Sequence, residues 1–433
     1  MTTIYALASA KGRAGVAVMR LSGEDAGMAL ATLTGKDVPP ARQAALRTFA
    51  DPGTAIVIDR GLALWFPAPA SFTGEDVAEL HLHGGPAVIA AMAAALDGLG
   101  LIPAEPGEFS RRAFEHGKLD LTEAEGIADL VNAETEAQRI QALRQMDGAL
   151  GAVYEGWRGD LIRALAFLEA DLDFPDEDLP GGIAARVLPV LDRLAAEFRE
   201  HLDDGRRGEV LRDGFQVVIT GAPNVGKSSL LNALARRDVA IVSEIAGTTR
   251  DTIEVRLDLG GYPVTLVDTA GLRDSDDVIE QEGVRRARAR AAQADLRLRI
   301  FEAGEGVGLA QPDDLIVINK VDVVRPGDMP GVFMISVRSG EGVDALLEAL
   351  ERKVVAMMGL RDAPSLTRSR HRRALEDAAD HLDRARVGFA GELEPELVAE
   401  DVRLAARSLA RITGRVDVED ILDVVFGEFC IGK

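Results

Sequence analysis

The stretch 221–228 carries residues whose types and spacing are suited to binding a phosphate group. It follows an apolar run that predicts a β-strand, and it leads into residues typical of a helix start. Gly221 and Gly226 allow successive backbone N–H groups to point at phosphate oxygens, and the positive end of the helix dipole adds to that field. Lys227 is then placed to reach β- and γ-phosphates, and the Ser228 hydroxyl to bind Mg²⁺.

Two further apolar runs end in polar motifs of the same kind. The first ends in Asp268-x-x-Gly271, which predicts a carboxylate near Mg²⁺ and a backbone N–H at the γ-phosphate. The second ends in Asn319-Lys-x-Asp322, where the carboxylate can accept hydrogen bonds from N1 and N2 of guanine. Adenine offers no such pair. Three strand-then-motif units in this order predict a GTPase domain, and they disfavour both an ATP-driven P-loop machine and three ordinary strand–loop junctions.

Hydrolysis of GTP also requires residues that complete the Mg²⁺ site and orient the attacking water. Residues 243–251 occupy the place of a switch loop, and Thr249 or Thr248 can give Mg²⁺ a second hydroxyl. Leu272 follows Gly271 where many GTPases carry a glutamine, and leucine cannot orient a water molecule. Another group must do so, and residue chemistry alone does not choose among the acidic candidates Asp274, Asp276, Asp277, Glu280 and Glu282.

The amino-acid composition indicates the cellular compartment and the kinds of partner that the protein can bind. The 433 residues include 49 Lys and Arg against 71 Asp and Glu, a net charge of −22, which argues against non-specific attraction to nucleic-acid phosphates. Any RNA would need a local basic patch or a basic partner. Cys430 is the only cysteine, which excludes an intrachain disulfide and predicts a reducing cytoplasm. The longest apolar stretch, 87–96, is too short to span a bilayer.

Residues 1–118 read as mixed α/β, and one predicted strand has a polar face. Glu79, His81 and His83 share that face because alternate side chains of a strand point the same way. A metal site, a solvent-facing surface and a small-ligand anchor built on Glu79 remain open. Arg20 shares its strand face with valines, so we expect it to have a carboxylate partner or to face solvent.

Helical periodicity begins at residue 119 and returns after the nucleotide motifs, which predicts one helical domain that receives the GTPase domain as an insertion. Thr122 and Glu125 have the spacing of a capping box at the start of this helical part. The strand 296–301 alternates apolar residues with arginine, which is unusual for a central parallel strand and favours an edge position. Cys430 is either a packing residue or a catalytic one.

Several motifs together resemble the MnmE (TrmE) family of bacterial tRNA-modification GTPases: Ala246–Asp251, Asp268–Arg273 and Cys430–Lys433. The resemblance covers the whole chain, and the family's N-terminal domain is matched by Gly12–Gly15, Ser71–Asp76, His83–Pro86, Pro106–Ser110 and Lys118–Leu121. It implies a multidomain α/β fold. The expected parts are an N-terminal α+β folate-binding domain (1–118), an all-α helical domain (119–211 and 357–433) and an inserted Ras-like P-loop GTPase domain with a doubly wound, mostly parallel sheet (212–356).

Motifs and resemblance together predict a GTP site formed by Asn224, Val225, Gly226, Lys227, Ser228, Ser229, Ser243, Glu244, Ile245, Ala246, Gly247, Thr248, Thr249, Asp268, Thr269, Ala270, Gly271, Asn319, Lys320, Asp322, Ser336, Val337 and Arg338. Mg²⁺ would be bound by Ser228 and Thr249. The resemblance also implies a K⁺ ion that supplies positive charge to the transferred phosphate, as an arginine finger does elsewhere, with the ligands Asn224, Ser243, Ile245 and Thr248.

The resemblance assigns two catalytic residues and a folate site. A glutamate after Gly271 would orient the attacking water, and counting without gaps makes it Glu280, or Glu282 if the loop is shifted. Cys430 would belong to the modification chemistry. A tetrahydrofolate derivative, 5-formyl or methylene, would be bound by Arg20, Glu79, Lys118 and Lys433. Val337 stands where the loop of this family usually has alanine, and we expect this difference to affect only the affinity for GTP.

The resemblance also implies partners. The chain would form a homodimer through its N-terminal domain, and its GTPase domains would dimerise across the nucleotide face when K⁺ is bound. With an FAD-dependent MnmG-type partner it would form a heterotetramer that adds a (carboxymethyl)aminomethyl group to carbon 5 of the wobble uridine of certain tRNAs. The alternative is a switch GTPase of ribosome assembly, which would leave the N-terminal domain and Cys430 without a role.

Overall fold

The computed structural model describes residues 2–173, 182–241, 254–268, 294–304, 314–327, 329–359, 364–390, 394–416, 419–427, 429 and 431–432. The chain divides into two compact units, and each is discontinuous in sequence. The first unit contains Met1–Ala128, Gln145–Val190 and Arg384–Lys433. The second contains Asp129–Arg144 and Leu191–Asp383.

The first unit is built on a six-stranded sheet with the order β3-β4-β5-β2-β1-β6. In chain order its elements are β1 (Ile4–Leu7), β2 (Ala14–Ser22), α1 (Ala26–Thr34), β3 (Ala45–Ala50), β4 (Val57–Phe66), β5 (Val77–Gly84), α2 (Pro86–Gly98), β6 (Ile102–Pro103) and α3 (Glu108–Glu115). The pairing is antiparallel except between β1 and β6. The mixed α/β character predicted for this part of the chain is confirmed.

The two faces of this sheet differ because its strands alternate apolar and polar residues. In β5, Ala78, Leu80 and Leu82 are buried and belong to the apolar core that includes residues of α1 and α2. Their neighbours Glu79 and His81 lie on the other face and are half-buried. On that second face Ile4, Ala6 and Val77 are buried as well, so Glu79 and His81 form a partly accessible polar patch beside an apolar cluster.

Five helices follow: α4 (Leu121–Asn132), α5 (Glu136–Met146), α6 (Ala149–Asp173), α7 (Gly182–Leu202) and α8 (Arg207–Asp213). The capping box of α4 lies two residues earlier than predicted. Asp120 Oδ1 accepts a hydrogen bond from the Glu123 N–H at 2.8 Å, and Glu123 Oε2 accepts one from the Asp120 N–H at 2.7 Å. Thr122 and Glu125 have the same spacing, but both are buried within the helix.

The second unit contains a six-stranded sheet with the order β12-β11-β10-β7-β9-β8. Its elements are β7 (Phe215–Gly221), α9 (Lys227–Leu234), β8 (Glu254–Leu259), β9 (Tyr262–Asp268), β10 (Leu296–Glu302), β11 (Leu315–Asn319), β12 (Val332–Met334) and α10 (Val343–Met358). Only β8 runs antiparallel to its neighbour. The predicted mostly parallel sheet is therefore confirmed. Gly221, Asp268 and Asn319, which end β7, β9 and β11, lie at the same end of it.

The edge position expected for the arginine-bearing strand is wrong. β10 pairs with β7 on one side and with β11 on the other, so it is an interior strand. Its leucines are buried on one face, while Arg297 and Arg299 are half-buried on the other. Arg299 lies 3.7 Å from Asp314 Oδ2 and stacks over the Phe301 ring, so the guanidinium is held by a carboxylate and an aromatic face.

The remaining helices are α11 (Ser369–Ala390), α12 (Pro395–Thr413) and α13 (Glu419–Gly427). In the first unit α12 packs along α6, with an ion pair between Arg403 and Glu169 at 2.8 Å. The segment after α13 returns to the N-terminal sheet region, where Ile431 forms a bridge with Pro106. Within the described residues, none of the helices combines the length and apolar character needed to cross a membrane.

Candidate functional site

The loop after β7 has the backbone conformation that a phosphate cradle needs. Asn224 and Gly226 both adopt positive φ, at 66° and 102°. A Cβ atom at Gly226 would lie 2.2 Å from Asn319 Nδ2, so no other residue fits there without displacing that side chain. The loop leads directly into α9, so its N–H groups and the helix N-terminus face the same space.

Lys227 is the first residue of α9, and its side chain is held across the loop. The residue is only 6% exposed. Its ammonium donates hydrogen bonds to the Gly221 carbonyl at 2.9 Å and to the Ala222 carbonyl at 2.8 Å. These two bonds place a positive charge at the mouth of the loop, where phosphate oxygens would enter.

Ser228, on the first turn of α9, contacts Asp268 at the end of β9. The Ser228 hydroxyl donates a hydrogen bond to Asp268 Oδ2. Asp268 ends β9 and is 2% exposed, so it presents its carboxylate from a fixed position. A hydroxyl and a carboxylate in contact are the hard oxygen ligands that Mg²⁺ prefers. The structure thus brings together Ser228 and Asp268, two of the three residues predicted to lie near Mg²⁺; the third, Thr249, lies outside the described residues.

Asn319 braces two loops at once. Its Nδ2 donates a hydrogen bond to the Val225 carbonyl at 2.8 Å, and its Oδ1 accepts one from the Val337 N–H at 3.2 Å. Asn319 therefore joins the phosphate loop to the loop that contains Ser336 and Arg338. Sequence reasoning predicted that Asn319 contacts GTP but missed this bracing, because the partners are far away in the chain.

The residues predicted to recognise guanine lie next to Asn319 in the sequence or in the loop that it contacts. Asp322 is exposed, so its carboxylate is free to accept hydrogen bonds from a base. Ser336 is buried, and its hydroxyl accepts a hydrogen bond from the Ser339 N–H at 3.2 Å, which closes the supporting loop. In the same loop Val337 is half-buried and Arg338 is exposed. Ser229 is exposed on the first turn of α9.

Several predicted residues lie outside the described part of the chain. They are the switch-loop residues Ser243, Glu244, Ile245, Ala246, Gly247, Thr248 and Thr249, the residues Thr269, Ala270 and Gly271 after β9, the acidic candidates Asp274, Asp276, Asp277, Glu280 and Glu282, and Cys430 and Lys433.

On the polar face of the first sheet, Arg20 has the carboxylate partner that was expected. Arg20 on β2 and Glu79 on β5 are directly paired in register, and their ion pair measures 2.9 Å. The Arg20 guanidinium also lies 5.7 Å from the Phe72 ring centroid and 5.8 Å from that of Phe109. Both partners are about one-fifth exposed, so this group is a shallow, partly desolvated site with aromatic walls. The two rings were not predicted.

The histidines beside Glu79 do not form a metal site. His81 Nε2 lies 3.4 Å from Glu79 Oε2, while His83 instead bonds to Asp59 at 2.9 Å. Burial on its own raises the pKa of Asp59, but hydrogen bonds from the His83 and Arg60 N–H groups and the His83 ring bring it below its usual value. The described residues contain no group of three or more metal-ligating side chains.

The loop 71–76 lies between Lys118 and the Arg20 pair. Lys118 is exposed, and its Cε would lie 3.3 Å from a Cβ at Gly74. On the other side, Glu75 of this loop accepts hydrogen bonds from Arg112 at 3.0 Å and from the Ser22 hydroxyl at 2.7 Å. A buried arginine and a hydroxyl thus fix the loop that presents Phe72 to Arg20.

Comparison with known proteins identifies the family. A family model described as the MnmE helical domain matches residues 121–430, and one described as the GTP-binding protein TrmE N-terminus matches residues 3–118. The tRNA modification GTPase MnmE of Parvibaculum lavamentivorans is 60% identical over 440 residues and covers 100% of both chains. The chain belongs to the MnmE family of tRNA modification GTPases.

Other MnmE proteins are similar over their full length. Those of Paramagnetospirillum magneticum and Maricaulis maris are 58% and 55% identical, covering 100% of this chain and 99% and 100% of their own. Membership of the MnmE family confirms the resemblance found in the sequence, the multidomain α/β class and the assignment to GTPases that take part in tRNA modification.

Proposed function

We propose that the site at the edge of the second sheet binds GTP with Mg²⁺ and hydrolyses it, with Ser228 and Thr249 as Mg²⁺ ligands. The observation that carries this proposal is the convergence of Lys227, at the start of α9, with Asp268 and Asn319 at the ends of β9 and β11. The same end of the second sheet thus holds a lysine that can bind phosphate and oxygen ligands that can bind Mg²⁺. It also holds an exposed carboxylate, that of Asp322, which can bind guanine. Bound Mg²⁺ would neutralise charge on the transferred phosphate.

For the hydrolytic step we propose Glu280 as the residue that orients water and K⁺ as an activating ion at Asn224, Ser243, Ile245 and Thr248. The positive φ of Asn224 supports a special role for that residue, because non-glycine residues rarely adopt it. We also propose that pairing of two GTPase domains across this face completes the site, and that residues 212–356 form that domain within a helical domain of 119–211 and 357–433.

Replacing Glu280 tests the hydrolytic proposal. We expect Glu280→Ala to lower the turnover number for GTP by roughly 100-fold or more, since loss of a water-orienting group typically costs that much. The affinity for GDP should stay near the wild-type value, because no phosphate or base contact is removed. Glu282→Ala is the matched control, measured by phosphate release and by fluorescent GDP binding. If Glu280→Ala is fully active and Glu282→Ala is inactive, Glu282 and not Glu280 orients the attacking water.

For the polar face of the first sheet we propose a site for a tetrahydrofolate derivative, formed by Arg20, Glu79, Lys118 and Lys433 in residues 1–118 and the C-terminal segment. The Glu79 carboxylate can accept a pair of N–H donors such as those on a pterin edge. The nearby rings of Phe72 and Phe109 supply apolar walls. Ile431 and Gly432 support a shared site, since Ile431 bridges to Pro106 and Gly432 packs against Leu7 and Ala8.

Folate binding to the full chain tests this site. We expect Glu79→Gln to weaken binding of 5-formyltetrahydrofolate by about 10- to 100-fold, because a charged acceptor is replaced by a group that also donates. His83→Gln, on the same strand but paired with Asp59, is the control and should bind normally. Isothermal titration of both variants decides the matter. Equal affinities for wild type and Glu79→Gln would rule out Glu79 as a folate ligand.

We further propose that the chain is a cytoplasmic homodimer that acts on tRNA with an MnmG-type FAD protein in a heterotetramer. Together they would add the (carboxymethyl)aminomethyl group to carbon 5 of the wobble uridine, with the folate supplying one carbon and Cys430 taking part. The proposal is supported by family membership and by the net charge of −22, which fits a protein that leaves much of the RNA contact to a partner.

A further inference from the structure

The end of β10 is joined to the guanine-recognition motif by side-chain and backbone contacts. β10 and β11 are parallel neighbours, and Glu302 lies directly opposite Asn319 in the register. The Lys320 ammonium donates a hydrogen bond to Glu302 Oε2 at 2.7 Å. The Ala303 N–H donates one to the Asn319 carbonyl at 2.9 Å, so the two strands stay paired beyond the sheet.

Lys320 has an unfavourable backbone conformation within the Asn319–Asp322 motif. Its φ is 67°, in the left-handed region that costs a non-glycine residue energy. The residue lies between Asn319, which braces the phosphate loop, and Asp322, which faces the base. The Val323 N–H donates a hydrogen bond to the Lys320 carbonyl at 2.9 Å, which starts the turn that presents Asp322. Whatever holds Lys320 therefore also sets the direction of the chain at Asp322.

We propose that Glu302 is a positioning residue for guanine nucleotide binding: its carboxylate holds the Lys320 ammonium and thereby the Asn319–Asp322 loop in the geometry that receives the base. This inference rests on the proposed GTP site. Glu302 and Lys320 have side chains 38% and 34% exposed, so the pair is partly shielded from solvent. A second pair in this region, Arg325 with Glu341 at 2.9 Å, is more exposed and lies beyond Asp322.

Kinetics of Glu302→Gln test the proposal in the full chain. We expect KM for GTP and Kd for GDP to rise about three- to five-fold, as loss of a partly exposed ion pair allows. The turnover number at saturating GTP should stay within the wild-type range, because Glu302 touches no phosphate-binding group. Glu348→Gln is the control: it removes the same charge from an exposed pair with Arg352 on α10, and it should change neither constant.

A second measurement separates positioning from general damage to the site. Inorganic triphosphate, used as a competitor of GTP, contacts the phosphate loop but has no base. Its inhibition constant should be the same for wild type and Glu302→Gln, and the melting temperatures of the nucleotide-free proteins should agree. Unchanged GDP binding in Glu302→Gln, or an equal weakening of GDP and triphosphate, would overturn the role. Failure of wild type to bind GDP would instead count against the GTP site itself.

Discussion

Asp322→Asn is expected to change the base selectivity from guanine to xanthine. The carboxylate only accepts hydrogen bonds and so matches the two donors on N1 and N2 of guanine. An asparagine side chain brings an NH₂ group that opposes the guanine amino group but can donate to the oxygen at the same position of xanthine. One charge-assisted hydrogen bond becomes a neutral one, and the other is replaced by two opposed donors, so we expect GDP affinity to fall by roughly 100- to 1,000-fold.

The measurement is competition of GDP and xanthosine diphosphate against a fluorescent nucleotide. Asp344→Asn makes the same chemical change at the start of α10, where Asp344 pairs with Arg237, and should leave the preference for guanine intact. Loss of affinity for both nucleotides in Asp322→Asn would show a disrupted loop and not a changed preference. Retained guanine preference would contradict the assignment of Asp322 to base recognition.

Lys227→Ala is expected to abolish function at the level of both nucleotide and tRNA. The substitution removes the ammonium proposed to contact the phosphates, which donates hydrogen bonds to the carbonyls of Gly221 and Ala222. Loss of such a preorganised charge typically costs about 100- to 1,000-fold in turnover. Phosphate release by purified protein measures the first effect.

The effect on tRNA is measured by nucleoside mass spectrometry in a deletion strain complemented with wild type, Lys227→Ala or Cys430→Ser. Wild type should restore the modified wobble uridine, and neither variant should. Arg236→Ala, which removes a positive charge two residues beyond the end of α9, is the control and should restore it. If the deletion strain has the same nucleoside profile as the wild-type strain, the protein does not modify tRNA, and Cys430 is a packing residue.

Much of the nucleotide site could be predicted from the sequence because each motif is local. A strand, a turn and a polar residue lie within about ten positions, so their order along the chain already implies a common sheet edge. For Arg20 the sequence left two alternatives, a carboxylate partner or exposure to solvent, and the structure shows the carboxylate partner. The choice of Glu79 required the register of β2 against β5.

Features that depend on long-range pairing could not be predicted. The interior position of β10 contradicted its alternating pattern, because Arg299 finds Asp314 and the Phe301 ring as partners that spacing does not reveal. The capping box was misplaced by two residues because Asp120 and Thr122 both have a glutamate three positions later. The Asn319 brace and the Glu302 pair join residues that no short motif connects.

The return of the C-terminal segment to the N-terminal sheet has a consequence for biosynthesis. Phe426 and Phe429 share one apolar cluster with Leu121 and Ala124, and α12 packs along α6. Both pairs of partners lie more than 200 residues apart in the chain, with nearly all of the second unit between them. Until residues 384–432 are synthesised, the apolar surfaces of α4 and α6 lack these partners, so we expect the nascent chain to expose surface that chaperones can bind.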